Sequence, residues 1–224
     1  MKTRFIGDIH GKWESYLSNH IMYNCEKSVQ IGDFGVGFNS IHQHTDMIKF
    51  QHQHPSHRFI RGNHDDPAKC ISLMPGYITD GFIEDNVMYI GGAWSIDRHH
   101  RTEGVNWWAD EELSYSQFNQ LIEIYEFMTP DIMVTHDCPS SFSKHHLVDA
   151  GRGLGTVHYP SITGEAFEAM LTIHQPKIWI FGHWHVDLVL KVGDTTFICL
   201  DELSYLDVDT TTCEIEGIIN YGKI

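Results

Sequence analysis

The chain has 224 residues, 42% of them apolar, and its 15 Lys and Arg face 30 Asp and Glu, giving a formal net charge of −15 with histidine neutral. No Pro-, Ser- or Gly-rich linker divides it, so residues 1–224 are expected to form one domain around a sizeable core. Such an acidic chain repels a long polyanion such as duplex DNA, no apolar run approaches a membrane span, and five cysteines without a Cys-x-x-Cys pair argue against a disulfide framework and a thiolate zinc site.

Thr3–Gly7 reads as a short apolar strand, entered at once without the long apolar region of a secretion signal, so a cytoplasmic location is expected. The strand stops at Asp8-Ile9-His10. In an extended segment side chains two apart point the same way, which makes Asp8 and His10 a chelating pair while Ile9 turns into the core. Trp13–Ile21 is expected to be helical. Ser28–Ile31 is a second buried strand, ending at Gly32-Asp33, where glycine lets the chain turn tightly and deliver a carboxylate to a neighbouring strand end. Ile41–His54 reads as a helix carrying His42, His44, His52 and His54; residues two apart on a helix do not share a face, so these are expected on a solvated surface. Arg58–Arg61 is a third strand running into Gly62-Asn63-His64-Asp65. Asp66-Pro67 then opens a short helix with proline at a tolerated first-turn position.

Tyr77–Gly92 reads as short, glycine-punctuated strands leading to a donor-rich loop, Ala93–Arg101. Ser116–Met128 is the clearest amphipathic helix, and Asp131–Val134 a strand ending in Thr135-His136-Asp137. Within the polar stretch Ser140–Pro160, Gly151-Arg152-Gly153-Leu154-Gly155 follows no strand, which favours a surface loop over a phosphate cradle. Thr163–His174 is helical, and Lys177–Phe181 is a strand that exits at Gly182-His183-Trp184-His185. Val186–Leu190, Thr196–Leu200 and Tyr205–Val208 read as closing antiparallel strands around a Gly193-Asp194 turn. Alternating β and α followed by a β-rich end fits helices covering two packed sheets better than one doubly wound sheet.

Five strand exits thus offer Asp8, His10, Asp33, Asn63, His136, His183 and His185, oxygen and imidazole donors without a thiolate. Such a set suits manganese, iron, zinc or nickel better than calcium or magnesium. Seven donors exceed the needs of one ion. Two divalent ions about 3.5–4 Å apart, bridged by a carboxylate and a hydroxide, would use them all and equip the site for in-line attack on phosphorus, with His64 free to pass a proton.

In this order the motifs Asp-x-His, Gly-Asp, Gly-Asn-His-Asp, a single His and Gly-His-x-His resemble the calcineurin-like metallophosphoesterase superfamily, over most of the chain. The resemblance implies an α/β fold, a four-layer α/β/β/α sandwich with two packed mixed β-sheets. It also implies Asp8, His10 and His185 on one metal, Asn63, His136 and His183 on the other, Asp33 bridging them, and His64 as proton donor to the leaving oxygen. Gly7–Gly11 and Arg61–His64 are similar to the protein serine/threonine phosphatase branch and its bis(nucleosyl) tetraphosphate hydrolase relatives. However, Phe34-Gly35-Val36-Gly37 follows Asp33 where that branch has an Asp-Arg pair, and Gly182–His185 is closer to phosphodiesterase-type members.

The expected activity is hydrolysis of a phosphomonoester, including a phosphoprotein, or of a small phosphodiester. A dinucleoside polyphosphate or cyclic nucleotide is the alternative substrate, with Trp94, Trp107 or Trp108 available to stack on a base or simply to pack the core. A non-catalytic scaffold of the same fold is the rival from another class. The residue orienting His64 is expected to be Asp65 or Asp97. Arg98 and Arg101 are the candidates for gripping a phosphoryl oxygen, against the alternative of surface ion pairs.

Overall fold

In the computed structural model, which describes residues 2–18, 25–38, 41–148 and 161–220, strands and short helices alternate through most of the chain. The order is β1 (Lys2–Ile6), α1 (Trp13–Tyr16), β2 (Ser28–Ile31), α2 (Ile41–Gln53), β3 (His57–Ile60), α3 (Pro67–Leu73), β4 (Phe82–Glu84), β5 (Val87–Ile90), α4 (Tyr115–Met128) and β6 (Ile132–Thr135). There follow the single turn α5 (Ser140–Phe142), α6 (Ile162–Ile173), β7 (Ile178–Phe181), β8 (Leu188–Val192), β9 (Thr195–Cys199), β10 (Ser204–Asp209) and β11 (Glu214–Asn220). One sheet runs β11-β10-β1-β2-β3 and the other β4-β5-β6-β7-β9-β8. Both are mixed: β1, β2 and β3 are parallel with β10 antiparallel to β1, while β5, β6, β7 and β9 are parallel with antiparallel edges β4 and β8.

Strand parity assigns the layers. Successive side chains point to opposite faces, so Val87 and Tyr89 of β5, Ile132 and Val134 of β6, and Ile178 and Ile180 of β7 enter the space between the sheets, where they meet Phe5, Val29, Ile31 and Ile60. The alternate residues Met88, Met133, Trp179 and Phe181 face outward onto Phe118, Leu121 and Tyr125 of α4 and Phe167 and Met170 of α6. On the other sheet, Ile6 and Phe59 pack outward against Trp13, Tyr16, Met47 and Cys70 from the three early helices. Each such buried side chain contributes about 1.5–3 kcal/mol, and together they make the four-layer α/β/β/α sandwich. Helix ends follow local chemistry: Asp66 caps α3 by accepting from Lys69 N at 3.1 Å, and a Ser114–Gln117 capping box opens α4.

The closing strands depart from expectation. They do not form one antiparallel set: β9 pairs in parallel with β7, and β10 crosses to the first sheet to lie antiparallel to β1. Apolar alternation says that a segment is a strand but not which neighbour it pairs with. β11 was not among the predicted elements. On α2, His52 and His54 are exposed as expected, whereas His44 is half-buried and accepts the Gly37 N–H at 3.1 Å. The His42 side chain, the end of the predicted first helix at His20-Ile21, and the Gly151–Gly155 loop with Arg152 lie outside the described residues. Among the described residues no helix is long and apolar enough to cross a membrane.

Candidate active site

The parallel strands β1, β2, β3, β6 and β7 deliver their motifs at their carboxyl ends, the side on which ligands gather in α/β sheets. Main-chain bonds lock the first two exits together: His10 N–H donates to the Asp33 carbonyl at 2.8 Å and Gly11 N–H to that of Phe34 at 3.2 Å. Close approach dictates two glycines, since a Cβ on Gly62 would overlap Asp33 Oδ1 and one on Gly182 would overlap Asp8 Oδ1. Nine described non-glycine residues have positive φ, and four of them are His10 (45°), Asp33 (57°), His183 (64°) and His185 (49°). Backbone held in this region costs about 1–3 kcal/mol per residue and clusters at functional sites. His10 therefore joins Asp8 through a left-handed turn rather than through the extended geometry expected.

Asp8, His10 and His185 bring ligating atoms within 4.8 Å of one another. His10 Nε2 lies 3.3 Å from His185 Nε2, with the rings stacked at 5.0 Å. The Asp8 carboxylate is buried; Oδ1 accepts from His183 N–H at 3.2 Å, while Oδ2 has no hydrogen-bond donor among the described residues and lies 3.4 Å from His185 Nε2. A buried carboxylate oxygen without a donor is costly, and a cation held between it and two imidazole nitrogens removes that cost. The donors present fit a borderline divalent metal.

Asp8, Asp33 and His136 form a second group of the same kind. Asp33 splits its oxygens: Oδ1 is 3.3 Å from His136 Nε2 and accepts His64 N–H at 2.8 Å, whereas Oδ2 is 3.7 Å from His10 Nδ1. His136 Nδ1 donates to the Ile31 carbonyl at 2.9 Å, so Nε2, 3.1 Å from Asn63 Oδ1, is the nitrogen whose lone pair a cation could use. Without a cation, a proton on Nε2 takes that place and is shared between Asn63 Oδ1 and Asp33 Oδ1. The His183 ring stands edge-on to His136, centroids 5.2 Å apart. Burial opposes a charged His136, yet the Asp33 and Asp8 carboxylates prevail and its pKa is pushed up to about 10. Burial likewise opposes the Asp33 carboxylate, and the imidazoles of His136, His64 and His10 hold it well below the usual range.

His64 stands at the rim, half-buried, with Nε2 4.0 Å from Asp33 Oδ2 and 3.4 Å from Arg101 Nη2. Burial lowers its pKa, the Asp33 carboxylate opposes this, and Arg101 reinforces it. Asp65 does not share in this site chemistry. Its Oδ1 accepts from Gly35 N at 2.7 Å and Val36 N at 2.8 Å, and its Oδ2 from Phe34 N at 3.0 Å and Gly62 N at 2.8 Å. The expectation of a catalytic Asp65 is thus corrected: both oxygens are taken up in stapling the β2 exit to the β3 exit, because the turn after β3 aims the carboxylate at four backbone N–H groups and leaves it no oxygen for His64. Asp97 reaches His64 through Arg101, whose Nε and Nη2 donate to its two oxygens at 2.6 Å each. Arg98 turns instead to the Trp94 ring, its guanidinium 4.8 Å from the centroid.

Trp94 and Trp108 are both 7% exposed and serve the core, so neither is placed to stack on a base. The aromatic at the rim is Phe38, 41% exposed, with its ring 5.5 Å from that of His64. Polar residues that the sequence reading passed over stand behind the donors. Asp137 Oδ1 accepts from Trp184 Nε1 at 2.9 Å and Cys138 N at 2.8 Å, tying the Gly182–His185 turn to the end of β6; its position next to His136 is the only cue in the sequence. Ser95, which accepts from Asn63 Nδ2 at 2.9 Å, and Glu111 behind it have no such cue.

A model of the calcineurin-like phosphoesterase family matches residues 1–187, a span that includes every donor from Asp8 to His185. Among solved structures, this chain is similar to a Staphylococcus aureus protein assigned as a 5'-nucleotidase, in complex with α-ketoglutarate, at 14% identity and a TM-score of 0.53; 97% of this chain aligns with 53% of that one, about half its length. It is also similar to Yfce, a phosphoesterase from E. coli (14% identity, 98% of each chain, TM-score 0.44), and to a novel archaeal phosphodiesterase (14% identity, 98% of this chain and 99% of that one, TM-score 0.45). At these identities the likeness is one of fold. A comparison with curated proteins found no significant match. With two adjacent donor groups at the strand ends and the family model matching across them, the chain belongs to the calcineurin-like phosphoesterase family and is a binuclear metal-dependent phosphoesterase.

Proposed function

We propose that the protein hydrolyses phosphomonoesters or small phosphodiesters, with Asp8, His10 and His185 holding one manganese ion, Asn63, His136 and His183 the other, and Asp33 shared. The observation that carries this reading is the division of Asp33, one oxygen toward His136 and the other toward His10. Oxygen and imidazole donors without thiolate support manganese, with iron, zinc and nickel as competitors to be tested. When bound, the cations supply charge neutralisation for the phosphoryl oxygens and acidify the attacking water. The chain's own residues do the rest. His64, which presents Nε2 beside Asp33 and Arg101 while its neighbour Asn63 turns inward, gives the proton to the departing oxygen. Arg101, held in a fork by Asp97, binds an outward phosphoryl oxygen. The five free cysteines support placing this activity in the cytoplasm.

A nucleotide substrate is the second reading, favoured by the exposed Phe38 ring beside His64, where the leaving group departs. The test is a panel of p-nitrophenyl phosphate, bis-p-nitrophenyl phosphate, phosphopeptides, cyclic nucleotides and dinucleoside polyphosphates, each with manganese, iron, zinc or nickel. Turnover that needs metal and is abolished by chelation is expected. A nucleotide kcat/KM at least about tenfold above the simple esters, and lowered by Phe38→Ala, would establish the second reading. Two bound ions with no ester hydrolysed would overturn both.

A further inference from the structure

We propose that Ser95 and Glu111 are positioning residues that decide which end of the Asn63 side chain faces the metal centre. The inference rests on Asn63 being a ligand, as proposed above. An amide is ambiguous in this role: its oxygen ligates a cation, its NH2 repels one, and half a turn about the last side-chain bond exchanges them with almost no change in shape. A neighbour must fix the choice.

Asn63 Nδ2 lies 2.9 Å from Ser95 Oγ, while Asn63 Oδ1 lies 3.1 Å from His136 Nε2. A serine hydroxyl has one hydrogen, and the partner that takes it determines what the opposite side must offer. Glu111 takes it. Glu111 Oε1 accepts Ser95 N–H at 3.0 Å, and Oε2 accepts the Ser95 hydroxyl. A carboxylate only accepts, so the Ser95 hydrogen is committed to Glu111 and its lone pairs are left for Asn63, which can answer only with NH2. Oδ1 is thereby turned toward the cation position.

The relay is dry and anchored. Asn63, Ser95 and Glu111 are 2%, 1% and 2% exposed, so water does not compete for these bonds. Burial pushes the Glu111 pKa up, and the two bonds from Ser95 pull it back. The Glu111 carbonyl accepts from Arg61 Nη1 at 2.6 Å, and Arg61 Nε is held by Asp80 at 3.3 Å, so the residue two before Asn63 fixes the loop that orients Asn63.

Glu111→Gln reverses the bookkeeping. Its amide carbonyl must take Ser95 N–H, its NH2 then faces the Ser95 hydroxyl, and the hydroxyl hydrogen is released toward Asn63, which turns over. Ser95→Ala removes the relay altogether. The experiment titrates the full chain and each variant with Mn²⁺ by calorimetry and records the electron paramagnetic resonance spectrum. The wild type is expected to take up two ions with the spectrum of a coupled pair. Both variants are expected to lose about 10–100-fold in affinity at one position only, and at one equivalent to show an isolated ion. A purely structural role would weaken both positions in parallel, and that result, or two unchanged affinities, overturns the inference. Should Glu111→Gln fail to fold, Ser95→Ala, which deletes a single hydroxyl, gives the same reading. Uptake of fewer than two ions by the wild type would overturn the ligand assignment itself and this inference with it, whereas two ions bound alike in all three proteins overturns the inference alone.

Discussion

His64, proposed above as the proton donor, stands 4.0 Å from Asp33 Oδ2 on the rim side, and a donor in that role must reach the leaving oxygen without being used up as a ligand. His64→Ala is therefore expected to keep two metal ions per chain yet lose roughly 10²–10⁴ in kcat with a poor leaving group, and much less with p-nitrophenyl phosphate. Equal losses on both substrates would remove the role. Asp33→Asn differs in kind, because an amide cannot serve two cations as a carboxylate does. Elemental analysis should show metal lost from both positions, with turnover down at least ~10²-fold. Two ions retained with near-normal turnover would take Asp33 out of the site. For the phosphoryl grip, Arg101→Ala should lower kcat/KM by about 1.5–3 kcal/mol at unchanged metal content, the scale of a hydrogen bond to a charged group. Arg98→Ala, whose guanidinium covers Trp94, should leave the kinetics unaltered. If the two variants behave alike, the distinction between them is wrong.

At the scale of elements, the pairing of β2 with β3 carries a pH-sensitive joint. His57, which opens β3, is 5% exposed, and its Nδ1 lies 2.9 Å from Ser28 Oγ of β2. Burial first, and neighbouring His54 second, push its pKa down from 6.5 to about 4. The folded state thus binds a proton less readily than the unfolded chain, so this group's contribution is intact above pH 6.5 and is lost as pH falls toward 4. At pH 5 the loss comes to about 2 kcal/mol. Urea unfolding of the wild type and of His57→Gln at pH 7 and pH 5 isolates the effect, because every other histidine is common to both proteins. The pH 7 to 5 drop in stability should be smaller in the variant by that amount, and equal drops would show that His57 is not the group responsible.

Over the whole molecule, a net charge of −15 is partly a charge waiting for cations, since Asp8 and Asp33 are buried carboxylates at the junction of several strand ends. Two ions at one hundred times their dissociation constants would stabilise the fold by about 5 kcal/mol together, roughly 10–20 °C in Tm for a chain of this size. Chelation followed by scanning calorimetry, with Mn²⁺ added back, checks this. An unmoved Tm would show that the two donor groups bind no ion tightly.

That the proposed donors meet was legible in the sequence because each ends an apolar strand, and parallel strands place their carboxyl ends on one side whatever their order in the sheet. Strand identity in β2, β6 and β7 was legible for a related reason, since β-branched and aromatic runs bounded by glycine and proline have few other uses. Partners were not. Whether β10 joins β9 or crosses to β1, whether Asp65 faces His64 or four backbone amides, and that Ser95 and Glu111 stand behind Asn63 all depend on contacts between residues far apart in the chain. Those choices are made by packing: the interior is filled at one density only, and a buried donor or acceptor must find its partner in whatever segment the fold brings alongside.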